Sequence, residues 1–172
     1  YVQIDFGQPR IFDSITIHPA RPGGDPKEKG VLFPLRVQVW VDDTGEFGMK
    51  SLRAEQYVWQ DLPDAGAEPL TFHFSRYKFR FVRVVVQKMQ KDGDKGYAFA
   101  LGEVELKEGE HNIAPEGVPT ANDSLEEGGW SINALNDGKL LPRAAHRRDG
   151  PDAPIQVSST ILDHVMTERA AV

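Results

Sequence analysis

The alternation of apolar and polar residues is the feature that most constrains how this chain folds. It is clearest in residues 35–41, where aliphatic side chains alternate with polar ones and a tryptophan. A period of two places the two sets on opposite faces of a β-strand, whereas an amphipathic helix needs a period of 3.6. The segment is therefore predicted to form a strand with one buried face.

The same pattern recurs along the first 108 residues. Further strands are predicted at residues 2–6, 14–18, 70–74, 77–89 and 98–106. Segments rich in Gly, Pro and Asp separate them. Between them, no stretch of about ten residues shows the apolar periodicity of a helix. Short strands divided by turns in this way are typical of an antiparallel β-sandwich. The sequence therefore predicts an all-β fold.

Composition and charge exclude several classes of function. The chain of 172 residues has a formal net charge of −6, so it lacks the basic excess with which a protein neutralises nucleic-acid phosphates. The basic run at residues 143–148 is short and precedes two aspartates, which indicates a solvated loop. There is no cysteine, and therefore no disulfide, thiolate metal site or cysteine nucleophile. No apolar run approaches 18 residues, so no membrane span is predicted.

The organisation of the chain suggests part of a larger protein. Tyr1 already lies inside a predicted strand and there is no initiator Met, so we expect other domains of a parent protein as partners. Composition changes at residues 107–110, which predicts a domain at 1–108 and a separate segment at 109–172. Within that segment, residues 155–166 fit a strand slightly better than a helix capped by a serine.

Three motifs in order carry a family resemblance: Tyr1–Gly7, Arg80–Val84 and Leu101–Leu106. Together they resemble the discoidin or coagulation-factor type C family, whose fold is a galactose-binding-domain-like jelly-roll β-sandwich. More narrowly, residues 96–101 followed by 112–114 are similar to modules of bacterial α-L-rhamnosidase-type glycosidases. The resemblance implies a noncatalytic carbohydrate-binding module of a larger secreted or periplasmic glycoside hydrolase, with rhamnose or another plant-type sugar as ligand. The alternative is a structural spacer or protein-interaction sandwich.

One departure from the family leaves the domain organisation open. The family's first segment carries an Ala-x-x-Asp-Gly motif and a tryptophan, and it is absent before Tyr1. A similar segment occurs afterwards, at residues 112–138. Either this segment starts a second β-domain, or it folds back and completes the first sandwich.

The resemblance also implies a structural Ca²⁺ ion between the Asp-Gly loop and the glutamate of the last strand. Its candidate ligands here are Asp137 and Glu103, which can share one ion only if residues 112–138 fold back. Calcium prefers six to eight oxygen ligands, several of them usually backbone carbonyls.

A sugar-binding surface needs an aromatic ring for the apolar face of the sugar and a few polar groups for its hydroxyls. The best candidate ring is Tyr97, at a junction between loop and strand. Trp59 lies in an irregular stretch, and Arg21 and Asp25 lie in the long first loop, where they can hydrogen-bond hydroxyls.

No catalytic residue is predicted. The sequence holds no nucleophile elbow, phosphate loop or dinucleotide fingerprint, and its histidines lack metal-ligand spacing. Glycoside hydrolysis needs two carboxylates about 5–10 Å apart, and nothing singles out such a pair. We therefore expect no catalytic activity from this chain alone.

Overall fold

The computed structural model describes residues 1–48, 51–54, 60–124, 126 and 130–140, and it shows an all-β protein with antiparallel sheets. The strands are β1 (Val2–Pro19), β2 (Arg36–Asp42), β3 (Leu52–Ala54), β4 (Leu70–Lys88), β5 (Gln90–Lys91), β6 (Tyr97–Ala98), β7 (Leu101–Glu108), β8 (His111–Asn112) and β9 (Val118–Ala121). Short 3-10 helices lie at Ala114–Glu116 and Ile132–Ala134. Trp59, the basic run at 143–148 and the predicted strand at 155–166 lie outside the described residues.

Seven strands form one sheet in the order β3-β2-β4-β1-β7-β8, with β9 paired to β1, while β5 and β6 form a separate hairpin. The N-terminal half of β1 pairs with β4 and β9, and its C-terminal half pairs with β4 and β7. The strand therefore belongs to two halves of the sheet. One half is built from β3, β2, β4, β1 and β9, and the other from β4, β1, β7 and β8.

The sequence predicts two strands in each region where the structure has a single long one. Residues 2–6 and 14–18 both lie in β1, and residues 70–74 and 77–88 both lie in β4. The turn residues beginning at Gly7, whose φ is 71°, do not end β1. They fall where its pairing with β4 shifts register between Asp5 and Arg10, so they act as an irregularity within a continuous strand.

Both halves contribute to one hydrophobic core. Its central side chains are less than 3% exposed and come from β1, β2, β4 and β7: Ile4, Phe12, Ile15, Ile17, Val37, Val39, Val41, Phe72, Val82, Val84, Val104 and Leu106. They are the inward-facing members of the alternating patterns in the sequence. Their outward neighbours remain at least partly exposed, with Glu103 as the main exception.

The described part of residues 109–138 packs against this same core. Ile113 and Ala114 are fully buried, and β9 pairs with residues 2–5 of β1. Gly117 lies so close to β1 that an added Cβ would stand 2.2 Å from Ile4 Cγ2. These residues therefore lie against β1 and the core, and the Asp-Gly loop meets β7.

Candidate functional site

A buried glutamate lies beneath the Asp-Gly loop. Glu103 has an exposure of 0%, although the alternation of β7 places it on the face opposite Val104 and Leu106. Residues 135–138 cover it: the N–H of Gly138 donates to Glu103 Oε1 at 2.9 Å. Its second oxygen, Oε2, is buried and has no hydrogen-bond partner in the part of the chain that the structure describes. Buried polar atoms are rarely left unpaired, so this oxygen requires an explanation.

The electrostatic environment of Glu103 opposes its negative charge. Burial is the largest cause, and the nearby carboxylates of Asp137 and Glu105 add repulsion; together they raise the pKa of Glu103 to about 8. The Gly138 N–H and the Lys139 ammonium act in the opposite direction but are outweighed. A proton on the carboxyl group, or a bound cation, would relieve the repulsion.

Local hydrogen bonds hold the Asp-Gly loop in place. The buried side chain of Asn136 donates from Nδ2 to the carbonyl oxygens of Ala114, at 2.6 Å, and Gly117, at 3.0 Å. The N–H of Val104 donates to the carbonyl oxygen of Leu135 at 2.6 Å, which joins the loop to the edge of β7. These bonds fix the loop over Glu103, so the Asp-Gly segment is held against β7.

The two carboxylates implied for a Ca²⁺ ion are thus brought together, with Asp137 close enough to perturb Glu103. The orphaned Glu103 Oε2 fits a cation, since an ion would supply its missing partner. Asp137 also accepts from Lys139, through both its N–H and its ammonium, at 3.0 Å each. Within the described ranges no group of three or more His, Cys, Asp or Glu side chains is placed to hold a metal, so backbone carbonyls or water would have to complete the coordination.

A second group of residues gathers at one end of the domain, where the loop after β1, the loop before β4 and the β5–β6 hairpin meet. The N–H of Ala100 donates to Leu32 O at 2.9 Å, and Gln90 Nε2 donates to Phe33 O at 2.7 Å. The N–H of Leu62 donates to Leu35 O at 2.9 Å. The three segments therefore form one connected surface, which we call the loop end.

Tyr97 and Val31 expose apolar surface at the loop end. Tyr97 opens β6 and is 52% exposed, and Val31 lies in the loop after β1 and is 40% exposed. The hairpin turn carrying Tyr97 is closed by a hydrogen bond from Asp92 N–H to Gly96 O at 2.8 Å. The tyrosine thus projects from a structured turn.

The other predicted sugar-binding residues differ in what they do. Arg21 donates from Nε to Glu28 O at 2.5 Å and from Nη2 to Ala67 O at 2.8 Å, so its guanidinium braces two loops. Asp25 is exposed, and its Oδ1 accepts from the N–H of Lys27 at 2.8 Å, which leaves Oδ2 on the loop surface. Arg21 and Asp25 lie on the loop after β1 and Tyr97 on the β5–β6 hairpin, two segments of the loop end, and Arg21 has a clear structural role there.

One cluster was missed by sequence reasoning. It lies on the outer face of the half-sheet that contains β2, β4, β1 and β9, the face turned away from the core. There the Arg83 guanidinium lies between two aromatic rings. Its Cζ is 3.8 Å from the centroid of the Tyr1 ring and 3.7 Å from that of the Phe47 ring. Arg83 lies in the Arg80–Val84 motif, which the sequence marks only as part of a family resemblance. The alternation of β4 was the signal that could have placed it on the outer face.

None of the helices in the described part of the chain has the length and apolar character to span a membrane. Comparison of the sequence and the fold with family models, with curated proteins and with solved structures gave no match.

Proposed function

We propose that this chain is a noncatalytic carbohydrate-binding module of a larger secreted or periplasmic glycosidase, with the jelly-roll sandwich of the discoidin-like family. The observation that carries the proposal is Tyr97, an aromatic side chain 52% exposed on a structured turn of the loop end. Binding residues are concentrated on loops held by a rigid scaffold, and an exposed tyrosine on such a loop offers a partner both an apolar ring face and a polar tip.

The chemistry of the loop end suits a sugar. The Tyr97 ring offers an apolar face for the C–H groups of a pyranose, and its hydroxyl is a donor and acceptor. The Asp25 carboxylate supplies an acceptor for sugar hydroxyls. Such a shallow site binds one sugar weakly, and its benefit to an attached enzyme comes from raised effective concentration near a polysaccharide.

A structural Ca²⁺ ion belongs to the same proposal. Glu103 and Asp137 would hold it, and the ion would supply positive charge that neutralises the two carboxylates and fastens residues 135–139 to β7. The support for this is the buried, unpaired Glu103 Oε2 within the described residues and the raised pKa of that carboxyl group. The role is structural, since Glu103 is fully buried and cannot meet a substrate.

The competing function is a spacer between domains. The bracing of two loops by Arg21 favours it, because the guanidinium donates to the backbone carbonyls of Glu28 and Ala67 rather than facing a ligand. Under this alternative Tyr97 would pack against a neighbouring domain.

The test compares binding of rhamnose, galactose and uncharged plant polysaccharides by calorimetry and affinity electrophoresis. Tyr97→Ala is the variant, and Val118→Ala is its matched control, since Val118 is 65% exposed on β9, away from the loop end. Tyr97→Ala should weaken binding at least tenfold while Val118→Ala leaves it unchanged. Equal binding by both variants, or no binding of any sugar by the unaltered protein, would rule out this site and favour the spacer.

A further inference from the structure

A row of polar and aromatic residues crosses four strands on the outer face of the half-sheet described above. Thr120 of β9 is opposite Gln3 of β1, Gln3 is opposite Arg83 of β4, and Arg83 is opposite Trp40 of β2. Residues directly opposite each other in antiparallel strands share a face of the sheet. At about 4.8 Å between strands, the row is about 14 Å long, which suits a short oligosaccharide lying across the strands.

The centre of the row is a preorganised guanidinium. Arg83 donates from Nε at 3.1 Å and from Nη2 at 2.7 Å to the single amide oxygen Gln3 Oε1. The rings of Tyr1 and Phe47 lie against it at 3.8 and 3.7 Å. Two rings and a shared acceptor fix the plane of the group, so its remaining N–H donors point in set directions.

The loop carrying Phe47 adopts an unfavourable backbone conformation to reach Arg83. Phe47 has φ of 50°, a left-handed value that costs energy for a side chain of this size. The adjoining turn is held by Asp42, whose Oδ1 accepts from the N–H groups of Thr44 and Gly45, both at 2.7 Å. Strain that the surrounding hydrogen bonds maintain is characteristic of a surface arranged for recognition.

Arg83 differs from the neighbouring cations in having a neutral partner. Arg80 forms a two-pronged ion pair with Asp5 at 2.7 and 2.9 Å, and Arg36 pairs with Asp61 at 2.6 Å. Within the described ranges, no carboxylate lies at ion-pair distance from Arg83. Burial lowers the pKa of Arg83, and the electrostatic effects of Tyr1 and Asp42 act in the opposite direction. The Asp42 carboxylate is committed to its own turn. The row therefore carries local positive charge despite the acidic composition of the chain.

From this arrangement we infer that the outer face is a second binding site, separate from the loop end, for a sugar that carries a carboxylate. The planar carboxylate of a uronic acid matches the fork of N–H donors on Arg83. The Tyr1 ring, 39% exposed, lies beside it for the sugar ring, and the Thr120 hydroxyl and the Gln3 amide supply polar contacts along the row. The inference goes beyond the proposed function and does not depend on Tyr97.

The experiment measures binding of polygalacturonate and of its methyl ester, which has the same backbone without the charge. The unaltered protein should bind the free acid at least tenfold more tightly than the ester, with an affinity that falls as salt is added. Gln3→Glu is the decisive variant, because it places an internal carboxylate on Arg83 with almost no change of shape. It should weaken binding of the acid at least tenfold and raise the unfolding temperature slightly.

Arg83→Gln removes the charge itself and should abolish preference for the acid, and Tyr97→Ala should leave binding of the acid unchanged. Gln3→Glu keeps the test decisive even if Arg83→Gln fails to fold. Any of four results would overturn the inference. The unaltered protein could fail to bind the acid at low salt, or could bind acid and ester equally. A folded Gln3→Glu variant could bind the acid unchanged, or Tyr97→Ala could lose binding of the acid.

Discussion

Replacing Glu103 by glutamine should remove a large pH dependence of stability. The pKa of Glu103 is raised from 4.5 to about 8 in the folded protein, so the folded state holds its proton more tightly than the unfolded state. The stability that this bound proton gives to the folded state has its full value below about pH 4.5. It is lost as pH rises towards and through 8.

The magnitude follows from the interval between the two pKa values. At about 1.4 kcal/mol per pH unit, the full interval corresponds to about 5 kcal/mol. Water entry and relaxation around a newly charged group reduce such penalties, so we expect a loss of about 2–3 kcal/mol between pH 5 and pH 9. Glutamine has the same shape, carries no charge, and retains an oxygen for the Gly138 N–H.

The assay is urea unfolding of the protein and of Glu103→Gln at intervals from pH 5 to pH 9, in chelator and in Ca²⁺. In chelator the unaltered protein should lose about 2–3 kcal/mol more stability than the variant as pH rises from 5 to 9. Subtracting the two curves cancels the contribution of every other titrating group, including the Tyr1 amine, whose pKa is lowered by burial. Ca²⁺ should restore stability at pH 9 only when Glu103 is present. Parallel curves for the two proteins in chelator would refute the reasoning about this buried carboxyl group.

Three further predictions concern stability and are measured by urea or heat denaturation. Asp42→Ala should lower the free energy of unfolding by about 3 kcal/mol at pH 7, because the Asp42 carboxylate accepts four hydrogen bonds. The cost should shrink as pH falls towards the Asp42 pKa of about 2. An equal cost at pH 2 and pH 7 would contradict this. Gly117→Ala should destabilise by about 2 kcal/mol through its clash with Ile4, whereas Gly48→Ala, with open space around its Cβ, should be nearly neutral. Leu135→Ala should cost about 2–4 kcal/mol, since Leu135 is 6% exposed in the core; a cost below 1 kcal/mol would mean that this segment does not pack there.

The strand content could be predicted from the sequence because burial and side-chain alternation are local properties. The pattern at residues 35–41 corresponds to β2, and the inward set in the pattern is the set that the core buries. What alternation could not reveal is that β1 and β4 each run through their turn residues. That continuity depends on pairing between strands more than 50 residues apart, which overrides the local preference of Gly7 to end a strand.

The candidate sites show the same difference between what local sequence patterns reveal and what depends on pairing between distant strands. The family resemblance points to Glu103 and Asp137, and the meeting of the two depends on how residues 112–138 pack against β1 and β7, which the sequence leaves open. The row through Arg83 had no sequence signal as a group, because Gln3 and Arg83 are 80 residues apart and become neighbours only through the register of β1 and β4. A single period-2 pattern shows which face a residue occupies but not which residue lies opposite.

The position of β1 has a consequence for how the chain folds as it is made. This strand leaves the ribosome before every partner it pairs with: Leu70 pairs with Ile17, Val84 with Val2, and Ala121 with Val2. At about 5–20 residues per second, its apolar face waits about 3–11 s for the first partner and about 6–24 s for the last. Nascent β1 is therefore a natural target for chaperones that bind extended apolar segments, and slowing translation before residue 121 should lower the soluble yield.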